Sequence, residues 1–259
     1  MKAFDTQITR ALSLIPETKN VFHKLAEDKS IEEIKNLILE NNFLAKNTDS
    51  TRKKIWYALK SRYLQNPNVD LNSLKSILNS NLLPSIKDQI IYYYFCKYES
   101  IVYDLVINPV FKQYKRGFKE VDKQEIIKYF NSIANTSHPE INNWTEETRA
   151  RLIRHTLAIL KDFKILKGSK KKEFYYLFVP LEVVLYIFYY LKIKDNPINK
   201  IFNHQDFNLF FLEKEDIIEY MYDASKKGFL TFSHSGNIFE LKTDINSLED
   251  LVNEFKRKI

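Results

Sequence analysis

The sequence predicts a mainly α-helical globular protein with helix-turn-helix and winged-helix-like segments and small β-hairpins. Three observations carry that expectation. Apolar residues recur at the one-face spacing of a helix through most of the chain. Capping residues and helix stoppers bracket many of these runs. β-leaning runs are confined to two short stretches, each folded around a polar turn.

Ser30-Ile31-Glu32-Glu33 reads as a capping box, in which serine and the glutamate three residues on each satisfy an orphan backbone donor. The helix it opens, IEEIKNLILENN, aligns Ile31, Ile34, Leu37 and Ile38 on one face. After FLAKNTD, Ser50 is the expected cap of a second helix, TRKKIWYALKSRYL. Its apolar stripe is Ile55, Trp56, Leu59 and Tyr63, and Pro67 stops it soon afterwards. LNSLKSILNS, SIKDQIIYYYFCKYES and IVYDLVINPVFKQYKRG continue the helical pattern, the last with a kink at Pro109 and Gly117 as its C-terminal cap.

From residue 122 a helix, KQEIIKYFNSIAN, is followed by the loop TSHPEINN and a longer helix, WTEETRARLIRHTLAILKDF. The runs KILKG and EFYYLFV come next, joined by the basic turn Gly168-Ser169-Lys170-Lys171-Lys172. Helix, turn, helix and basic hairpin is the order of a winged helix-turn-helix. A similar layout closes the chain. EKEDIIEYMYDASKK ends at Gly228, FLTF and NIFELK form a hairpin around Ser233-His234-Ser235-Gly236 with Gly236 in the turn, and SLEDLVNEFKRK is a last helix. A boundary near 118–121 separates an N-terminal helical region, 1–120, holding the first helix-turn-helix, from a winged-helix-like C-terminal region, 121–259. No short repeat, low-complexity tract or long flexible linker is visible.

Composition narrows the function classes. With 259 residues, 44% hydrophobic, the chain has ample core material. It has only four glycines, Gly117, Gly168, Gly228 and Gly236, none near another. Loops that cradle phosphate need several close together, so P-loop and Rossmann readings are excluded. A single cysteine, Cys96, allows neither an internal disulfide nor a cysteine-based zinc site, and its setting in YYYFCKY reads as a small buried residue. The five histidines show no metal-ligand spacing, and no G-x-S-x-G elbow is present. Asp162-Phe163-Lys164 and Glu173 offer acid–lysine pairings reminiscent of nucleases, which chance supplies readily in a chain that is 28% charged. The expectation is a protein that is not an enzyme and takes no cofactor or metal. The opening MKAFDTQITR turns polar at once. The apolar run 174–193 is broken by Pro180, Glu182 and Lys192, leaving a helix of about 10–12 residues where a span needs about 20. A cytoplasmic location without membrane contact is therefore expected.

The charge is concentrated. Net charge is +7, yet Arg149–Lys172 alone holds nine basic residues and one acid, a net of +8. In the helix after Trp144, Leu152, Thr156, Ile159, Leu160 and Phe163 share one face, and Arg151, Arg154 and Lys161 the opposite one. A helix apolar inside and cationic outside can lie against a polyanion. Thr145 is its expected cap, placing free N–H groups of the first turn where a phosphate can meet them. Arg149 and the turn lysines Lys170, Lys171 and Lys172 extend the same surface. Surface Arg and Lys are also commonly just solvated. On the earlier helix, Lys53, Lys54, Tyr57 and Lys60 oppose the apolar stripe, while Ser50, Thr51 and Arg52 crowd its start as a phosphate-positioning group. Arg52 projects toward the buried side, where a structural ion pair is the alternative. The C-terminal hairpin, with His234 and Ser235 at its tip behind an acidic helix, reads as packing or partner contact.

Three blocks, STRKKIWYALKSRYL (50–64), WTEETRARLIRHTLAILKDFKILKG (144–168) and FFLEKEDIIEYMYDASKKGFLTF (210–232), resemble the BrxA family, accessory proteins of bacteriophage exclusion (BREX) defence islands. The resemblance implies a mostly helical globular monomer with two helix-turn-helix motifs that binds double-stranded DNA without sequence specificity. It also implies a role in phage resistance alongside other BREX proteins. Some relatives carry an inner-membrane label, which the interrupted run 174–193 argues against here. Carried over by position, the basic residues of the two cationic helices become the DNA contacts. Arg151 and Arg154 suit guanine, but no Asn or Gln sits beside them, so phosphate contact outweighs base readout. Two other readings stand beside this one: an adaptor for protein–protein assembly whose basic face is merely solvated, and an RNA-binding protein.

Overall fold

The computed structural model describes residues 3–6, 8, 11–236 and 238–258. The chain is mostly helical, with one two-stranded antiparallel sheet among these residues. The expected capping box is formed: Ser30 opens α2 (Ile31–Leu39) with its hydroxyl on the Glu33 N–H and the Glu33 carboxylate on the Ser30 N–H. A helix unmarked in the sequence reading, α1 (Ile15–Ala26), precedes it. Next come α3 (Asp49–Leu59), continued by a π-helical turn at Lys60–Leu64, then α4 (Leu71–Leu78) and α5 (Pro84–Tyr98). The run around Pro109 becomes α6 (Ser100–Leu105), a π-helical segment Val106–Val110 and α7 (Phe111–Lys115). The wider π turn accommodates the proline ring and its missing N–H inside a helix that otherwise continues.

The second half holds α8 (Lys123–Ala134), a 3-10 turn Pro139–Asn143, α9 (Glu146–Asp162), α10 (Leu181–Ile193), α11 (Ile198–Ile201) and a 3-10 turn Gln205–Phe210. It closes with α12 (Lys214–Lys226), β1 (Thr231–Ser235), β2 (Ile238–Lys242) and α13 (Leu248–Lys258).

The core is organised around α5 and α10, the two helices buried around most of their circumference. Tyr92, Tyr93, Tyr94 and Phe95 meet Tyr186 to Tyr190 there with almost no exposure. Tyr93 and Tyr94 stand edge-on to Tyr190, and the Tyr94 and Tyr186 hydroxyls hydrogen-bond at 2.7 Å. Burial of the rings is thus compatible with a partner for each phenol. No helix among the described residues is long and apolar enough to cross a membrane. Two buried charged groups tie distant segments to this core. Arg62 pairs with Glu99 at 2.8 Å, donates to the carbonyls of Leu12 (2.7 Å) and Ala11 (2.5 Å), and lies over the Phe95 ring. Asp206 accepts from Tyr93 (2.6 Å), Tyr103 (2.7 Å) and Lys97 (3.1 Å).

Three local expectations change. The cap of α3 is Thr48, whose hydroxyl accepts from the Thr51 N–H, and Ser50 lies inside the first turn. The first hairpin does not form as a ladder. Lys164 adopts a left-handed φ of 59°, and the N–H groups of Ile165 and Leu166 are spent on the Leu160 carbonyl, closing α9. Lys167 and Glu173 then exchange one pair of hydrogen bonds, while Phe174 turns to the Lys119 carbonyl and Val121 to that of Lys172. The backbone groups a wing would use are divided between two partners. In the second hairpin, Ser233, His234 and Ser235 belong to β1, so the connection shrinks to residues 236 and 237, since Ser235 faces Ile238. Gly236 takes the positive φ (58°) this tight turn demands. Asn237, expected to begin the second strand, lies outside the described residues.

Candidate nucleic-acid interface

α2 and α3 form one helix pair, and α8 and α9 another across the 3-10 turn. In α9 the faces fall as the spacing requires: Leu152, Thr156, Ile159, Leu160 and Phe163 are buried, and Arg151, Arg154 and Lys161 are exposed. The opening chain segment packs along this helix pair. The Phe4 N–H donates to Glu140 (2.7 Å), its ring stacks on His138 at 3.7 Å, and the Ser13 hydroxyl donates to Asp162 (2.8 Å).

The cations divide into three groups. Arg151, Lys161, Lys164 and Lys170 are exposed and have no ion-pair partner among the described residues. Arg154 is paired with Glu147 at 2.9 Å, Lys171 with Glu120 at 3.0 Å and Lys167 with Glu173 at 3.6 Å. These pairs are exposed at both ends, so they contribute little to stability and can open for a competing anion. Arg149 is structural. Its half-buried guanidinium donates to the Asn131 side chain (3.1 Å) and the Ile141 carbonyl (3.0 Å), clamping α8 and the intervening turn onto α9. Lys172 is half-buried, and its ammonium donates to the carbonyls of Gly168 (3.2 Å) and Ser169, bracing the basic turn. Burial and the neighbouring charges of Lys161 and Lys123 hold Lys172 below the usual lysine range, with Asp162 opposing them.

That electrostatic neighbourhood brings Lys123, the first residue of α8, into the cluster. It lies nearly 50 residues upstream of Lys172 in the chain, and no local sequence pattern marks it. Thr145 caps α9 as expected, through the Thr148 N–H (3.2 Å). Its first turn, however, also carries the exposed acids Glu146 and Glu147, which already answer the helix dipole.

The α3 surface is more compensated. Asp49 takes Lys53 at 2.7 Å and Arg52 at 3.6 Å, and Lys53 holds its carboxyl below the usual range. Arg52 is half-buried, in keeping with an ion-pair role, while Ser50 and Thr51 are exposed. Lys54 and Lys60 keep free ammonium groups among the described residues. Tyr57 is 65% exposed. Together with Lys54 it borders a cleft of about 320 Å³ floored by the Arg62–Glu99 pair. The expected C-terminal tip residue His234 instead lies within β1, its ring beside those of Phe232 and Phe239 and its Nδ1 on the Tyr222 hydroxyl (2.9 Å).

Among the described residues no group of three or more His, Cys, Asp or Glu side chains could hold a metal ion. Cys96 is buried, and burial pushes its thiol far above the ordinary range, so it stays protonated.

Residues 2–188 match the protein family described as BrxA, a span that includes both helix pairs and the basic turn. The third block of the sequence resemblance, 210–232, lies beyond it. No curated protein matches the chain. A crystal structure of an uncharacterized protein from Magnetospirillum magneticum shares the fold, with a TM-score of 0.59 and 16% identity over 75% of this chain and 94% of that one.

Proposed function

The chain belongs to the BrxA family, proteins associated with BREX phage defence, and on that premise we propose that it is a non-enzymatic accessory protein that grips double-stranded DNA by its phosphates. The observation that carries this reading is the set of four exposed cations, Arg151, Lys161, Lys164 and Lys170, that have no ion-pair partner among the described residues and share one helix and basic turn with Lys171 and Lys172. An anion bridging that cluster relieves its repulsion. Each phosphate neutralised releases counterions, at a slope of about −0.9 in log affinity against log salt. Four contacts therefore cost on the order of 10²-fold between 50 and 200 mM salt.

The test is a gel-shift series with duplexes of unrelated sequence across that range. Affinities should agree within a few-fold at each salt concentration. The combined variant Arg151→Ala, Lys161→Ala, Lys164→Ala, Lys170→Ala should bind every duplex at least tenfold more weakly, and Lys123→Ala should weaken binding despite lying on another helix. Unchanged binding in the combined variant rejects this surface. Competition between duplex DNA and structured RNA separates the RNA reading.

An adaptor role is a second reading, favoured by one specific observation: the exposed aromatic side chains of Tyr176 and Phe178.

A further inference from the structure

The extended run 174–179 carries two of the most exposed large apolar side chains of the protein, Tyr176 at 84% and Phe178 at 65%. They alternate with the less exposed Leu177, as side chains do along a strand. The run is anchored through its last two carbonyls: Gln89 donates to that of Phe178 (3.0 Å) and the Tyr220 hydroxyl to that of Val179 (2.6 Å). At its start the Phe174 N–H goes to the Lys119 carbonyl. Among the described residues, no backbone N–H from Tyr175 to Val179 and no carbonyl from Tyr175 to Leu177 has a hydrogen-bond partner.

With α12 the run borders a groove of about 470 Å³ that shares no residue with the cationic surface. Four carboxylates line it, Glu213, Asp216, Glu219 and Asp223, and no Lys or Arg does, in a chain of net charge +7. Glu213 is paired with Lys115 and Asp216 with the Glu213 N–H. Asp223 is met only by the exposed Lys226 at 3.3 Å, and Glu219 has no ion-pair partner among the described residues.

We propose that this groove docks an extended segment of a partner protein that alternates apolar residues with Lys or Arg, paired along the free edge of 174–179. Main-chain hydrogen bonds to an edge supply affinity, and alternate side chains supply selection. Apolar residues of the segment cover Tyr176 and Phe178, and its cations meet Glu219 and Asp223. The same carboxylates repel nucleic acid and acidic peptides, which leaves a basic protein segment as the occupant. Because the run is already pinned by Gln89 and Tyr220, little ordering cost remains on this side of the contact. The inference deepens the adaptor reading and does not depend on DNA binding.

A random dodecapeptide display library panned against the full chain tests it. Enriched clones should carry net positive charge with apolar residues at alternate positions. Their recovery should fall at least tenfold on Tyr176→Ser/Phe178→Ser and on Glu219→Lys/Asp223→Lys, while the melting midpoint of the second variant stays close to that of the parent. The second pair lies on an exposed helix face, so it remains informative if the first destabilises the chain. No enrichment, acidic clones, or equal recovery on both variants overturns the proposal. So does concentration-dependent self-association in sedimentation that the Tyr176→Ser/Phe178→Ser variant abolishes, because the occupant is then a second copy.

Discussion

Two cations of the α9 surface are held by the protein's own carboxylates, so removing those carboxylates should strengthen DNA binding in a defined way. The perturbation is Glu147→Gln with Glu120→Gln, which keeps shape and releases Arg154 from its 2.9 Å partner and Lys171 from its 3.0 Å partner. Both carboxylates are well exposed, at 73% and 44% of their side-chain surface, so folding should be little affected and the melting midpoint should stay close to that of the parent. If Arg151, Lys161, Lys164 and Lys170 supply a salt slope of about −3.6, two further contacts take it to about −5.4. Between 50 and 200 mM salt, the loss of affinity then widens by about tenfold relative to the parent. Fluorescence anisotropy with one labelled 20-base-pair duplex across that range reads both affinity and slope. Tighter binding at low salt together with the steeper slope is expected. Tighter binding with an unchanged slope shows only that two distant negative charges were removed, and refutes direct contact by Arg154 and Lys171. Weaker or unchanged binding refutes the placement of DNA on this face.

Two further outcomes follow from the buried charges. Arg62→Met removes the hydrogen bonds that Arg62 gives to Glu99 and to two carbonyls, and breaking a buried pair in this way costs ~3–5 kcal/mol. At about 2–4 °C per kcal/mol for a chain near this size, thermal unfolding should drop by roughly 10 °C. The salt slope of DNA binding below that temperature should not change, whereas a changed slope makes Arg62 a contact residue. His155 is held below its ordinary range by burial and then by Arg151 and Arg154, and His204 by burial and Lys97 against the opposing pull of Asp206. Their folded values lie below the unfolded one, so the stability they contribute is present above about pH 6.5 and is lost as pH falls below it through the folded values. The melting midpoint should decline from pH 7.5 to 5.5, and His155→Gln should flatten part of that decline; an identical pH dependence in the variant contradicts the assignment.

The helices were legible because their determinants are local. The 3.6-residue period sorted Leu152, Thr156 and Ile159 from Arg151, Arg154 and Lys161, and Thr145 and Ser30 cap the helices they were expected to cap. Where several capping residues stood together, as in Thr48-Asp49-Ser50-Thr51, the approach of the chain chose Thr48, a matter no pairwise spacing decides. The wing failed for a non-local reason. Ile165 and Leu166 have strand-like side chains, but their N–H groups finish α9, and the edge they would have paired is met at one residue and then handed to Lys119.

Charge behaves the same way. The sequence counts nine cations between Arg149 and Lys172, but whether each is free depends on Asn131, Glu120, Glu147, Glu173 and the backbone of residues 141, 168 and 169, several of which belong to other elements. The same logic places Lys123 in the cluster from a helix away and gathers three acids of α12, with Glu213 at its cap, beside the aromatic run 176–178. Among the described residues, a modest net charge thus resolves into a cationic face with four members free of carboxylate partners and an acidic aromatic groove lined by no Lys or Arg. Two surfaces of opposite sign, sharing no residue, suit simultaneous contact with a polyanion and a basic protein segment better than either contact alone.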